Sequence, residues 1–357
     1  MTRLDRARAK LEKTEFDALY ITSEINQRYV TDFSFTDGSV LITREKSYVI
    51  TDFRYLEAAK THVVGDYEII TPSRREGNYL YDLCRENHVS TLAFEESSLS
   101  YAGYKSLTER LPDIKLVGVG EFIEELRLYK EPGEVENIIK AQRIAEQAFS
   151  ELIPEIRRGM LETELALELE YKMRKLGAED KSFETIAVSG SASALPHGVP
   201  RPQPIEDGFF TFDFGALVNG YHSDMTRTIV IGKADEEMKR LYNTVLEAQL
   251  AAEAVITEGY RNADADKTAR DIIENAGYHG CFGHSLGHGV GLEIHEAPGL
   301  SSGAGDATLK AGQIVTVEPG IYIEGKYGCR IEDMMLITEG GAELLTDCPK
   351  ELIELDI

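Results

Sequence analysis

The sequence predicts an α+β chain of two domains, an α/β layer domain over residues 1–128 and a larger α+β domain over 129–357. Three observations predict it. The chain has 357 residues, more than one domain of roughly 100 to 200 residues usually holds. Its first third alternates apolar runs with segments of helical period, the pattern of helices layered on a sheet. Around 126–133 the string LRLYKEPGEVENIIKAQRIAEQAF changes character: Pro132 stands at a first helical position, and the acids after it favour the helix dipole.

In the first domain the β-like runs are DALYITS, GSVLITR, SYVITD, TLAFEES and IKLVGVG, with helical period over Arg3 to Lys13 and Glu76 to His88. In the second, Thr163 to Leu176 is amphipathic, with Leu165, Leu169, Met173 and Leu176 on one stripe, Thr163 as N-cap and Gly177 past the end. Asp235 to Glu258 repeats the pattern with Met238, Leu241, Val245, Leu246, Ala252 and Val255 inward and Gly259 closing it. Between and after these helices lie strand-like runs: FETIAVSG, GFFTFDFGALV, YHSDMTRTIVIG, QIVTVEPGIYI and CRIEDMMLIT. No short repeat or low-complexity segment interrupts them.

Composition excludes several function classes. Lys plus Arg number 38 against 62 Asp plus Glu, a net charge of −24, which argues against nucleic acid and anionic lipid as partners. With 42% hydrophobic and 28% charged residues the chain reads as globular. No apolar window reaches the roughly 18 residues of a membrane helix, and the start MTRLDRARAKLEKTE is charged, so a cytoplasmic location is expected. Cys84, Cys281, Cys329 and Cys348 lie far apart and suggest neither a disulfide framework nor a thiolate zinc site.

The chemistry begins with Asp213 in GFFTFDFG, because a strand carboxylate is costly to bury unless it is paired or binds a metal. By the period of two, Phe210, Phe212 and Phe214 take one face and Thr211 and Asp213 the other. A loop centred on Val218 and Asn219 would set Asp213 directly opposite Asp224, and facing like charges destabilise a sheet unless a cation lies between them. The second hairpin repeats the arrangement: Val315 and Val317 take one face, Thr316 and Glu318 the other, while Arg330, Glu332 and Met334 share a side. Solvated hairpin acids would explain either pair alone. Four acids from two hairpins converging in one layer are what a metal centre needs.

His279, His284, His288 and His295 fall in a glycine-rich stretch, where glycines 283, 287, 289 and 291 permit close backbone approach or positive φ. A lone histidine there is an ordinary hydrogen-bonder; beside four converging acids, one imidazole ligand is expected. His197, in the Pro-containing loop SALPHGVP, is a candidate to face a substrate. Four carboxylates and an imidazole suit two divalent ions such as Mn, Co or Zn, which share a bridging water, lower its pKa and polarise a carbonyl or phosphoryl group. Hydrolysis is the implied reaction class, and amide and phosphate ester both stay open.

The strings SGSASALPHGVP, FDFGALVNGYHSDMTRTIVIG, FGHSLGHGVGLEIHEAP, TVEPGIY and GCRIEDMMLIT, in this order, resemble the Xaa-Pro peptidases, the prolidase and aminopeptidase P branch of the pita-bread metallopeptidases. The motifs span 183 to 338, and the N-terminal domain with its LYK-x-P-x-E entry extends the resemblance over essentially the whole chain. It implies a ribonuclease-H-like N-terminal α/β domain of creatinase type, then a pita-bread (creatinase/aminopeptidase) catalytic domain of two pseudo-twofold halves. By motif position the metal ligands implied are Asp213, Asp224, His288, Glu318 and Glu332, holding two divalent ions, Mn before Co or Zn. His197 and His295 would be the substrate-side histidines and Glu318 the proton shuttle to the leaving proline nitrogen, while Arg330, on the face of Glu332, would steady the carboxylates or gate the site. The implied attack is by a hydroxide between the ions on the carbonyl preceding proline. A peptide with proline second would be the substrate and a homodimer the assembly.

Dipeptidase-type members follow H-E-x-P with an arginine thought to meet the free substrate carboxylate, and Gly299 occupies that place here. This departure tilts the expectation toward an aminopeptidase releasing the N-terminal residue of longer Xaa-Pro peptides, with an Xaa-Pro dipeptidase as the alternative. A non-catalytic binding protein on the same fold would be expected to lack ligands, and all five ligand positions hold ligand residues.

Overall fold

The computed structural model describes residues 1–72 and 78–357. It divides into two compact units, Met1–Arg127 and Leu128–Ile357. The α+β, two-domain class expected from the sequence holds in both.

The first unit is built on one six-stranded sheet in the order Glu68–Ile70, Ser47–Thr51, Gly38–Thr43, Ala18–Ile21, Thr91–Glu95, Lys115–Val119. All five strand-like runs became strands; Glu68–Ile70, too short to show a period, joins at one edge. Ala18–Ile21 is buried along its whole length, hence its continuous apolar reading. The first helix spans Arg3–Leu11, where Thr2 Oγ1 accepts the Asp5 N–H (3.1 Å) and the Asp5 carboxylate accepts the Thr2 N–H (2.8 Å), a reciprocal cap. The other expected helix runs from Tyr79 to Glu86; its expected start at Glu76 lies outside the described residues.

The second unit repeats one plan twice. Helices Pro132–Leu152 and Glu162–Lys175 serve the first half, and Glu236–Val255 and Asn262–Asn275 the second. Both second helices are entered alike: Leu161 bridges Pro204 as Arg261 bridges Thr308, and the carbonyls of Met160 and Tyr260 each accept an N–H at 2.9 Å, from Ile205 and Leu309. Each half has its own apolar core. Phe210, Phe212 and Phe214 point together, as the period of two requires, into a core with Phe149, Leu165, Leu169 and Met173. Val315 and Val317 enter the other with Leu241, Val245 and Ile273.

Three expectations are corrected. The helix expected to begin after a Thr163 cap begins at Glu162, because Leu161 takes the cap position and its N–H is received by the Glu164 carboxylate at 2.8 Å. The next helix has Asp235 as its cap but stops at Val255, before Gly259; Val255 is only half-buried. The hairpin loop is centred on Asn219 and Gly220, not on Val218 and Asn219. Both have positive φ (48° and 73°), the requirement of the two-residue turn that matches strand twist, and Asn-Gly is its preferred pair. The register therefore places Thr226 opposite Asp213, and Asp224 is a diagonal neighbour.

The second hairpin pairs in two stretches. Ile314–Val317 pairs with Asp333–Thr338, then Gly320–Ile323 pairs with Tyr327–Arg330. Val317 opposite Asp333 and Gly320 opposite Arg330 belong to one register, in which Glu318 stands opposite Glu332. At that step the ladder opens. The Glu318 N–H goes to the Leu286 carbonyl (2.8 Å) and the Glu332 N–H to the Thr226 carbonyl (3.1 Å), tying one carboxylate to each half.

Candidate active site

The carboxylates converge where the halves meet. Ligand-type atoms of Asp224, His288 and Glu332 all lie within 4.8 Å of one another. His288 Nε2 is 3.3 Å from Glu318 Oε1 and 3.6 Å from Asp224 Oδ2. Asp213 joins through Arg330, whose Nη2 donates to its Oδ2 at 2.6 Å, while the buried Oδ1 has no hydrogen-bond partner among the described residues. All five expected ligand residues are thus gathered at one site.

Small neighbours aim these groups. Thr316 Oγ1 donates to Glu318 Oε1 (3.1 Å) and Thr226 Oγ1 to Glu332 Oε2 (2.7 Å). Nδ1–H of His288 donates to the Gly289 carbonyl at 3.0 Å, which leaves Nε2 with its lone pair toward the acids. The strand bearing His288 runs so close to the second hairpin that a Cβ on Gly287 would sit 1.9 Å from the Thr316 carbonyl oxygen. Close approach, not positive φ, is what the glycines at 287, 289 and 291 provide.

The electrostatics call for a cation. Burial raises the Asp224 carboxyl well above its ordinary range, and Asp213 and Glu318 add to it. Burial likewise raises Glu332, helped by Asp224, Glu318 and Asp213, and pushes Glu318 up to about 8 despite Arg330. His288 is lowered to about 4, chiefly by burial, and is therefore a neutral donor at neutral pH. Asp224, Glu318 and Glu332, raised together beside one arginine, call for further positive charge before they ionise together. An oxygen-rich set with one imidazole and an unsatisfied Asp213 oxygen fits divalent metal ions.

The site opens into a cleft of about 880 Å³. One wall is apolar, with Ala166, Leu167, Phe183, Ile186, Val199 and Pro200, and the carboxylates form the floor. His197 and His295 both line it and both are exposed; the His295 ring packs edge-on against His288, with centroids 4.3 Å apart. Arg330 is the one lysine or arginine among the described lining residues. Gly299 lines the cleft as well.

Sequence reasoning missed a chain of donors behind Arg330. Its Nη1 donates to the Tyr322 hydroxyl (2.7 Å), which donates to His284 Nε2 (2.9 Å), whose Nδ1–H ends on the Ser285 carbonyl (2.8 Å). Burial first, then Arg330, lowers His284 to about 4, so it accepts as a neutral ring. Both residues sat inside quoted motifs, His284 four residues before His288 and Tyr322 after E-P-G-I. Nothing local marked them as partners of Arg330. Thr226 was also passed over, inside S-D-x-T-R.

Comparison with known proteins agrees with this site. Residues 136–339 match the description of metallopeptidase family M24, and residues 3–129 that of the creatinase/prolidase N-terminal domain. The chain is 38% identical over 354 residues to the Xaa-Pro dipeptidase of Pyrococcus furiosus, covering 98% of this chain and 99% of that protein. It superposes with a TM-score of 0.95 on the Xaa-Pro dipeptidase from Bacillus anthracis, at 43% identity and 99% coverage of both chains. For an X-Pro aminopeptidase from Thermotoga maritima the TM-score is 0.91, at 36% identity, with 97% of this chain and 100% of that one covered. With both domain types matched in order, this chain belongs to metallopeptidase family M24, with a creatinase/prolidase N-terminal domain preceding the pita-bread catalytic domain.

Proposed function

We propose that this metallopeptidase hydrolyses the Xaa-Pro bond of dipeptides. The observation that carries it is an apolar-walled cleft whose floor gathers Asp213, Asp224, His288, Glu318 and Glu332. The choice of dipeptides draws on the relatives named Xaa-Pro dipeptidase. In this choice the tilt toward longer peptides, drawn from Gly299 alone, yields to the alternative that accompanied it.

Asp213, Asp224, His288, Glu318 and Glu332 would hold two divalent ions, manganese before cobalt or zinc. When bound, such ions supply Lewis acidity and a water of lowered pKa. The apolar wall excludes bulk water and receives the proline ring, holding the scissile carbonyl over the acid floor. His197 and His295 donate hydrogen bonds from the exposed side to the substrate carbonyl, where negative charge develops. Glu318 carries the proton from the attacking water to the proline nitrogen, its carboxylate standing 3.3 Å from His288 Nε2. Arg330 holds Asp213 in place through its 2.6 Å bond. The assembly expected is a homodimer.

One observation favours a second reading, release of the N-terminal residue from longer Xaa-Pro peptides. Arg330 is committed to Asp213, so within the described lining no other lysine or arginine meets a dipeptide's carboxylate. The test is one panel with Mn-loaded protein: an Xaa-Pro dipeptide, its C-terminal amide, an Xaa-Pro tripeptide and the Xaa-Ala dipeptide. The proposal expects the free dipeptide to give the highest kcat/KM. Faster cleavage of the amide and tripeptide would shift the assignment to the aminopeptidase reading. Equal cleavage of Xaa-Ala would remove proline specificity.

A further inference from the structure

Among the described residues His197 has no side-chain hydrogen-bond partner, and it stands exposed at the cleft, so its ring is aimed by the backbone that carries it. That backbone, residues 190–200, begins after the strand Ile186–Ser189 and returns at Arg201. Both of its ends are held by one carboxylate, that of Glu162, in the first turn of the helix Glu162–Lys175 and buried. Glu162 Oε1 accepts the Ser189 N–H (2.8 Å) and hydroxyl (2.7 Å), and Oε2 accepts the Arg201 N–H (2.9 Å). The Arg201 guanidinium closes the fork, from Nε to Oε2 (2.9 Å) and from Nη2 to Oε1 (2.6 Å). Arg201 Nη2 also reaches the Ser189 carbonyl at 3.1 Å, so the loop's two ends are bonded to each other as well.

We infer that Glu162 is a positioning residue for turnover: by pinning Ser189 to Arg201 it sets where His197 meets the substrate. This rests on the substrate-side reading of His197 above. A buried carboxylate receiving five hydrogen bonds is costly unless its partners are all kept, so the loop ends are held together as a unit. The second half has the same device. In the helix Asn262–Asn275, Asp266 Oδ1 accepts the Leu286 N–H (3.0 Å) and both its oxygens take the Arg270 fork (2.9 Å each). Arg270 in turn holds the carbonyls of Phe282 (2.6 Å) and His284 (2.9 Å), directly ahead of His288. Each half thus clamps its histidine-bearing segment with an acid–arginine pair rooted in its second helix.

The experiment is a double-mutant cycle of Glu162→Gln and His197→Ala in the full-length Mn-loaded enzyme, with bound metal and amide hydrogen exchange over residues 190–200 measured on each variant. Glu162→Gln is expected to lower kcat by about 10- to 100-fold, the scale of a misplacement near 1 Å, at unchanged metal stoichiometry. In the His197→Ala background the same change should cost less than about 2-fold, since there is no ring left to misplace. Equal losses in both backgrounds would overturn the inference, and so would unchanged exchange protection of the loop. If His197→Ala leaves turnover intact while Glu162→Gln deprotects the loop, the reading of His197 fails and the clamp stands. Should Glu162→Gln fail to fold, Arg201→Met, on the part-exposed side of the pair, runs the same cycle.

Discussion

Replacing Thr226 by Val tests the site through a residue that touches no substrate. Thr226 is fully buried and its hydroxyl stands between two groups: it donates to Glu332 Oε2 at 2.7 Å and accepts from Arg330 Nε at 3.1 Å. Valine keeps the volume and the β-branch, so the strand Met225–Ile231 and its pairing should survive. What the metal ligand loses is one charge-assisted hydrogen bond, worth about 1.5–3 kcal/mol, and Arg330 Nε loses an acceptor as well. Removal of such an outer partner typically weakens a metal site about 10- to 100-fold. At about 1.4 kcal/mol per decade, that is about 1.4–2.8 kcal/mol, which agrees with the single bond. The assay is calorimetric titration of chelator-stripped protein with Mn, beside thermal unfolding of the metal-free forms. The weaker metal step should lose 10- to 100-fold in affinity while the metal-free Tm stays within a few degrees. Unchanged affinity with an unchanged Tm would refute the claim that Thr226 orients Glu332 as a ligand.

Three further outcomes follow from the same geometry. Because burial and mutual repulsion raise Asp224, Glu332 and Glu318, chelator-stripped protein should release protons on taking up Mn at pH 7, read as a dependence of the binding heat on buffer ionisation enthalpy; a buffer-independent heat would contradict it. Glu162 is lowered because the Arg201 fork and the Ser189 donors outweigh the burial that opposes its charge, so its stabilisation is present above the unfolded carboxylate pKa and lost as pH falls through the folded one. The destabilisation by Glu162→Gln, measured by urea unfolding, should therefore be largest near pH 7 and shrink below about pH 4.3; a pH-independent penalty would argue against an ionised Glu162. Phe212→Ala opens the fully buried core beside Phe149 and should cost about 3–5 kcal/mol in the same unfolding assay, with a loss under 1 kcal/mol meaning that the core collapses into the gap.

The residues legible in sequence were those whose placement follows from a local period. Phe210, Phe212 and Phe214 fell inward because alternate residues share a face, and Asp213 was thereby turned to the opposite face. The same rule set Glu318 beside Thr316 and away from Val315 and Val317. Register was less secure: moving the turn centre by one residue, from Val218/Asn219 to Asn219/Gly220, changed the partner of Asp213 from Asp224 to Thr226. The metal-type cluster survived that change because a diagonal neighbour on the same face still points the same way.

Helix ends were legible to within a few residues, and of the two caps expected, Thr163 and Asp235, Asp235 caps by its side chain, accepting the Met238 N–H at 2.8 Å. Apart from Arg330, expected beside the carboxylates, the partners of the site were not legible, and even the acid that Arg330 meets was not. Thr226 meets Glu332 across 106 positions, Arg330 meets Asp213 across 117, and Glu162 meets Arg201 across 39. A buried hydroxyl or guanidinium has no signature in its own neighbourhood, since the need that fixes it belongs to an atom far along the chain.

By itself, then, the sequence determined the α+β class, the inward apolar faces, and the turning of Asp213, Glu318 and Glu332 away from them. The tertiary structure alone decided that the ladder opens between Glu318 and Glu332, that Asp224 stands beside His288, and that Tyr322 and His284 back Arg330. The physical reason is range. Side-chain direction repeats every two or every 3.6 residues and can be counted along a string, whereas convergence depends on which distant segments satisfy one another's buried polar atoms.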